Sequence, residues 1–186
     1  FIRNQDGKEY SIDVFKQRFS LPGALPYSGK WALQLLNPSG LIGSTTYHSA
    51  VVTLAKPGGA MLTVDTVLPF LLGSTDGGKI TITCDSDVQT FPQVYLYGPL
   101  QNPVLINTAT SERVALNLTL SASDSVSISM EKGEVLLGGV NDVYPQLSLD
   151  SRFWALQPGA NTILLRASTY QTGSAEIIWN TLKEGI

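Results

Sequence analysis

Apolar residues return mostly at every second position along this chain, and no long window repeats them at i, i+3, i+4 and i+7. That period predicts half-buried strands in place of amphipathic helices. In residues 79–84, Ile80, Ile82 and Cys84 share one face while Thr81 and Thr83 share the other. The preceding Asp76-Gly77-Gly78 has hairpin chemistry and predicts pairing with 61–67. Further on, Val114, Leu116, Leu118 and Leu120 alternate with Ala115, Asn117 and Thr119, and Val126, Ile128 and Met130 alternate with Ser125, Ser127 and Ser129. Glu131-Lys132-Gly133-Glu134 then turns the chain into Val135-Leu136-Leu137, with Gly133 free to take a positive φ, which makes a second hairpin. Ile163, Leu165 and Ala167 form one strand face after Pro158-Gly159-Ala160-Asn161, and Ala175, Ile177 and Trp179 form the next. Thr172-Gly173-Ser174 between them predicts a third hairpin. Short strands with turn chemistry and no helical crossovers imply antiparallel sandwiches, not a parallel βαβ sheet.

The first part of the chain is less regular. Pro22, Pro26, Pro38, Pro57 and Pro69 punctuate it, 21–26 reads as an exposed loop, and 12–19 fits either a short helix or a strand. Trp31, Leu33 and Leu35 alternate on a strand that ends at Asn37-Pro38-Ser39-Gly40. At 186 residues the chain can be one large domain or two small ones. Asp85-Ser86-Asp87 closes one strand and Phe91-Pro92 opens a new alternating series, so we place two antiparallel β domains at 1–90 and 91–186.

Composition narrows the functions. Only 15% of residues are charged, against about 25% in an ordinary soluble domain, so the outer strand faces must be built from Ser, Thr, Asn and Gln. A net charge of -3 offers no basic field to gather nucleic acid. The run 67–72 is interrupted by Pro69 and is far short of the roughly 20 residues that span a bilayer, so we expect no membrane segment. One cysteine, Cys84, leaves no internal disulfide and fits a reducing compartment. Phe1-Ile2-Arg3-Asn4 reads as chain interior, as expected of a processed product or fragment.

Candidate chemistry is sparse. With His48 and Cys84 the only residues of their kinds, no zinc site of ordinary ligand count can be assembled. No Gly-x-Ser-x-Gly elbow is there to expose a nucleophilic serine. Asp85-Ser86-Asp87 has the look of a cation-holding acidic pair, but no nucleotide-binding architecture surrounds it and an exposed turn is the expected role. Glu131 and Glu134 flank a tight turn and are expected at its tip, not as the facing carboxylates of a glycosidase. Gly138-Gly139 lacks the third glycine and helix of a phosphate cradle. Asn117 fits a glycosylation sequon in mid-strand, where occupancy is not expected. Catalytic residues, metal and cofactor are therefore expected to be none. Four aromatics are candidates for a ligand or interface role: Tyr95 and Tyr97 on one strand face, and the adjacent Phe153 and Trp154. Core packing or a subunit contact is favoured for them over a sugar platform.

Residues 91–179 resemble the C-terminal domain of phage distal tail proteins, the siphovirus-type tail component. The features come in order: 91–99 as the opening strand, 102–107 as its follower, the alternating strand through Leu120, 124–128 after the turn, and the hairpin tipped by Gly133. The most specific match is Trp154-Ala155-Leu156-Gln157-Pro158-Gly159-Ala160-Asn161-Thr162-Ile163, which is similar to the family's Leu-x-Pro-Gly-x-Asn-x-Ile turn into the penultimate strand, with 175–179 as the closing strand. The resemblance implies an N-terminal β domain that builds a homo-oligomeric ring, usually of six copies, and an outward-facing, galectin-like β-sandwich. It further implies a non-catalytic virion protein, made in the bacterial host cytoplasm, that joins tail tube to tail tip or baseplate. A galectin-type sugar site would need a coupled His, Arg and Trp, and the C-terminal half has no His. The alternative is a carbohydrate-binding or adhesin-type sandwich carried by Tyr95, Tyr97 or Trp154; a hydrolase comes third.

Overall fold

Among the described residues the period-two pattern is realised as antiparallel strands. In the computed structural model, residues 2–3, 9–11, 15–20, 32–36, 40–54, 78–168 and 172–184 are described. They form β1 (Ile2–Arg3), β2 (Glu9–Ser11), β3 (Phe15–Ser20), β4 (Ala32–Leu36), β5 (Leu41–Thr53), β6 (Gly78–Cys84), β7 (Gln93–Tyr97) and β8 (Leu100–Gln101). The remainder are β9 (Val104–Asn107), β10 (Glu112–Ala115), β11 (Thr119–Leu120), β12 (Ser125–Ser129), β13 (Glu134–Leu137), β14 (Asn141–Asp142), β15 (Gly159–Arg166) and β16 (Ser174–Glu184). The single helical turn among the described residues is a 3₁₀ turn at Tyr144–Gln146.

Two sheets face each other. One has eight strands in the order β1-β2-β5-β16-β7-β12-β13-β14, and the other has four in the order β10-β9-β15-β6. Val94, Leu96, Val126, Ile128, Val135, Ala175 and Ile177 from the first meet Ile82, Leu105, Val114, Ile163 and Leu165 from the second in one buried cluster. Each side chain of that size removed from water contributes about 1.5–3 kcal/mol, so the alternation itself is the main stabilising device. Strands from both sides of residue 90 share these sheets: β5 pairs with β16 and β6 with β15. Two small sheets pair β8 with β11 and β3 with β4.

The strand reading of 31–35 is realised in β4, and β3 resolves the helix-or-strand alternative as a strand over Phe15–Ser20. The hairpin at Glu131-Lys132-Gly133-Glu134 joins β12 to β13, with Gly133 at φ 68°. The pairing expected for 61–67 lies outside the described residues, as does the loop at 21–26.

Two expectations are corrected. The run 114–120 is not one strand: the ladder with β9 ends at Ala115, Leu116 makes an isolated bridge to Leu147, and a strand resumes where β11 meets β8. The third hairpin is absent as well: β15 lies between β9 and β6, while β16 lies between β5 and β7 in the opposite sheet. Ile163, Leu165, Ala175 and Ile177 are all fully buried, so each strand turns its apolar face inward from its own side of the core. The connection between them crosses over instead of folding back. Gly173 makes the crossing tight, since its carbonyl accepts from Leu54 N at 3.0 Å and a Cβ there would press into Leu100 and the Pro99 carbonyl.

Open edges are covered in part. Beyond β10, the chain at 147–152 donates Ser148 N to Ala115 O and Arg152 N to Arg113 O, while Ser151 Oγ accepts from Ala115 N. Arg113 also pairs with Asp150. An edge whose ladder groups are taken up in this way no longer templates another strand.

Candidate functional site

The outer face of the eight-stranded sheet carries the residues that the core does not use. Register sets them in rows running across β5, β16, β7, β12 and β13. Thr53, Ser174, Tyr97 and Ser125 form one row, and Val51, Glu176, Tyr95, Ser127 and Leu136 the next. Ser49, Ile178, Gln93, Ser129 and Glu134 form a third, and Tyr47 stands opposite Asn180 in a fourth. The three serines of β12 thus make a low strip beside the taller side chains of β7. Two open grooves result, of about 570 and 320 Å³, which share Gln93, Ser129 and Glu131. The larger one is flanked by Tyr47 and Phe91, with exposures of 70% and 43%, and continues past Ile178 and Asn180. The smaller runs over Ser127 toward Lys132, Glu134 and Leu136.

At the upper rows, the Tyr97 hydroxyl donates to Glu176 Oε2 at 3.2 Å. Partial burial, followed by this carboxylate neighbour, holds the Tyr97 phenol above its usual range. At the groove end, β16 shifts register between Asn180 and Leu182. Asn180 Oδ1 is sealed there without a hydrogen-bond partner, a costly condition for a buried acceptor. The turn at 85–87 braces the same irregularity: Ser86 Oγ accepts from Leu182 N, and Asp87 N donates to Leu182 O.

The two carboxylates of that turn face a cation of the chain's own: Lys183 Nζ stands 3.1 Å from Asp87 and 3.8 Å from Asp85. Its hydrogen bond, with that of Glu184 N, holds the Asp87 carboxyl below its usual range. Glu131 and Glu134 are exposed beside the hairpin tip, and no cluster of three metal-ligating groups occurs among the described residues.

The four aromatic candidates do not converge. Trp154 is 1% exposed in the core, out of reach of any ligand, with its Nε1 unpartnered. Phe153 is half-buried and stacks on Tyr144 at 6.4 Å between ring centroids. Tyr95 and Tyr97 stand together on the outer face. Sequence reasoning missed Tyr47, Phe91, Gln93, Ile178 and Asn180. Their signal was the outward half of each alternating strand, but only the strand order shows that those halves adjoin.

The Pro-Gly-x-Asn segment explains itself in three dimensions. Asn161, fully buried, accepts from Gln157 N at 2.9 Å and donates to the carbonyls of Gln157 and Gly159. Asn107 Nδ2 donates in turn to Ala155 O and to Asn161 Oδ1. This network fixes how the chain enters β15.

The fold is similar to that of the SPP1 Dit protein, whose crystal structure is described as a paradigm of the hub adsorption apparatus in phages that infect Gram-positive bacteria. The TM-score is 0.66 at 11% sequence identity. The alignment takes in 96% of this chain and 62% of that protein, so this chain spans less than two thirds of its length. No curated protein sequence matches. The profile of the family described as "Siphovirus-type tail component, C-terminal domain" matches residues 85–181, from the Asp85 turn through the β16 irregularity. With more than half of its 186 residues inside that match, the chain belongs to the siphovirus-type tail component family.

Proposed function

We propose that this protein is a non-catalytic structural part of a phage tail, a distal ring component that joins the tail tube to the tail tip or baseplate. The observation that carries the reading is the family match over 85–181. The matched residues supply both interior strands of the four-stranded sheet and most of β16, with β7, β12 and β13, in the eight-stranded one, so the shared sequence is the body of the sandwich and not a grafted site. The low charge and the serine- and threonine-rich outer faces suit a part whose work is to be packed among neighbours. In this reading the sandwich, including β5 and β6, is the outward-facing, galectin-like unit, and the strands before it contribute to a ring of six copies in the virion tail.

The native mass of the protein, by light scattering or native mass spectrometry over a range of concentrations, tests the ring. A closed ring gives a discrete multiple of the 20.0 kDa subunit, with six or twelve copies expected. A strict monomer at every concentration, in the presence of the neighbouring tail proteins as well, would remove the ring from the account.

A further inference from the structure

We propose that the joined groove on the outer face of the eight-stranded sheet binds a neutral saccharide. Its combined volumes lie within the roughly 300–1,000 Å³ of ordinary ligand sites, and its walls present Tyr47 and Phe91 beside Gln93, Ser129 and Glu131. A sugar ring shows a C–H face to an aromatic ring and hydroxyls around its edge, which suits amide, hydroxyl and carboxylate side chains spaced along a sheet.

Other ligand classes fit less well. Glu131 and Glu134 outnumber Lys132 along the groove, so an anion meets net repulsion. An apolar ligand would strip water from Ser127, Ser129 and Gln93 and offer them nothing in return. An extended peptide gains affinity mainly by hydrogen bonding to an open strand edge. The groove instead crosses the face of strands whose backbone groups are already laddered to one another. Asn180 adds a further indication: it lines the groove, and its orphaned Oδ1 is an acceptor that an entering hydroxyl would satisfy after a small turn of the side chain.

Saturation-transfer NMR on the whole chain tests this with four probes: maltotriose, cellotriose, chitotriose and lactose. We expect millimolar binding of at least one, weakened tenfold or more by Gln93→Ala and by Phe91→Ala. Tyr97→Ala, outside the groove, leaves it unchanged. Should Phe91→Ala fail to fold, Gln93→Ala alone decides, because its side chain lies on the outer face. No transfer from any of the four probes overturns the proposal, and so does transfer that survives both groove substitutions. Binding of a Ser-Gly hexapeptide in place of every sugar would likewise overturn it, in favour of a peptide. The inference is independent of the ring: a hexamer that binds no sugar overturns this proposal alone, and a sugar-binding monomer overturns only the ring.

Discussion

Asn161 ties the entry of β15 to the residues before it through its side-chain amide. It sits fully buried and closes three hydrogen bonds onto the backbone of 157–159, with Asn107 as a fourth partner. Asn161→Ala removes the partner of those half-buried backbone groups, and a group left unsatisfied away from water costs about 1–3 kcal/mol. A loss of about 1–3 kcal/mol in denaturant unfolding is expected, with the turn into β15 loosened. Asp87 acts differently, at the surface. Its carboxyl is held below the ordinary value of 3.8 by the Lys183 hydrogen bond and then by Glu184 N. A carboxyl with a depressed native pKa stabilises above its unfolded pKa, and that contribution is lost as pH falls through the native one. Asp87→Asn is therefore expected to lower the thermal midpoint modestly at pH 7. The gap from the unmodified protein should close in acid, below pH 3.8. A gap that persists unchanged in acid would mean that the charge is not the cause.

The β12–β13 hairpin was readable from a short stretch, because the turn residues and both alternating strands lie within one local segment and Gly133 marks the reversal. The β15–β16 connection was not. Alternation tells which side chains face the core, yet it is silent on which of two facing sheets supplies the strand, and Thr172-Gly173-Ser174 serves a crossing as well as a turn. The outer-face groove was hidden for the same reason: Tyr47, Gln93 and Ser129 become neighbours only through the order β5-β16-β7-β12. The crossing has its own test. A Cβ on Gly173 has no room beside Leu100 and the Pro99 carbonyl, and overpacking of this kind costs about 1–3 kcal/mol. Gly173→Ala should lower the unfolding midpoint accordingly, while Gly159→Ala, which has open space, bears only the strain of its φ of 89°.

At the scale of the whole molecule, the sandwich depends on strands far apart in sequence. β16 is held between β5 and β7, and its partners in β5 lie more than a hundred residues earlier. Removing 174–186 would expose the inner edge of both neighbours and uncover the apolar faces of Val52 and Leu96. Such a truncation is expected to lose cooperative thermal unfolding and near-ultraviolet circular dichroism together, and to aggregate, where loss of an edge strand would only weaken the fold. The same arrangement makes folding slow, since non-local pairs must close before any of them is rewarded.

That placement has a consequence for how the protein is made. β15, an interior strand of the four-stranded sheet, and β16, an interior strand of the eight-stranded one, both follow every other strand of the two sheets in sequence. A growing polypeptide therefore carries two incomplete sheets until β15 and β16 have emerged, with the seat for β16 standing empty. A prematurely ended product lacks the seam that closes the unit, and it presents an unfinished surface to chaperones and proteases before it could enter any assembly.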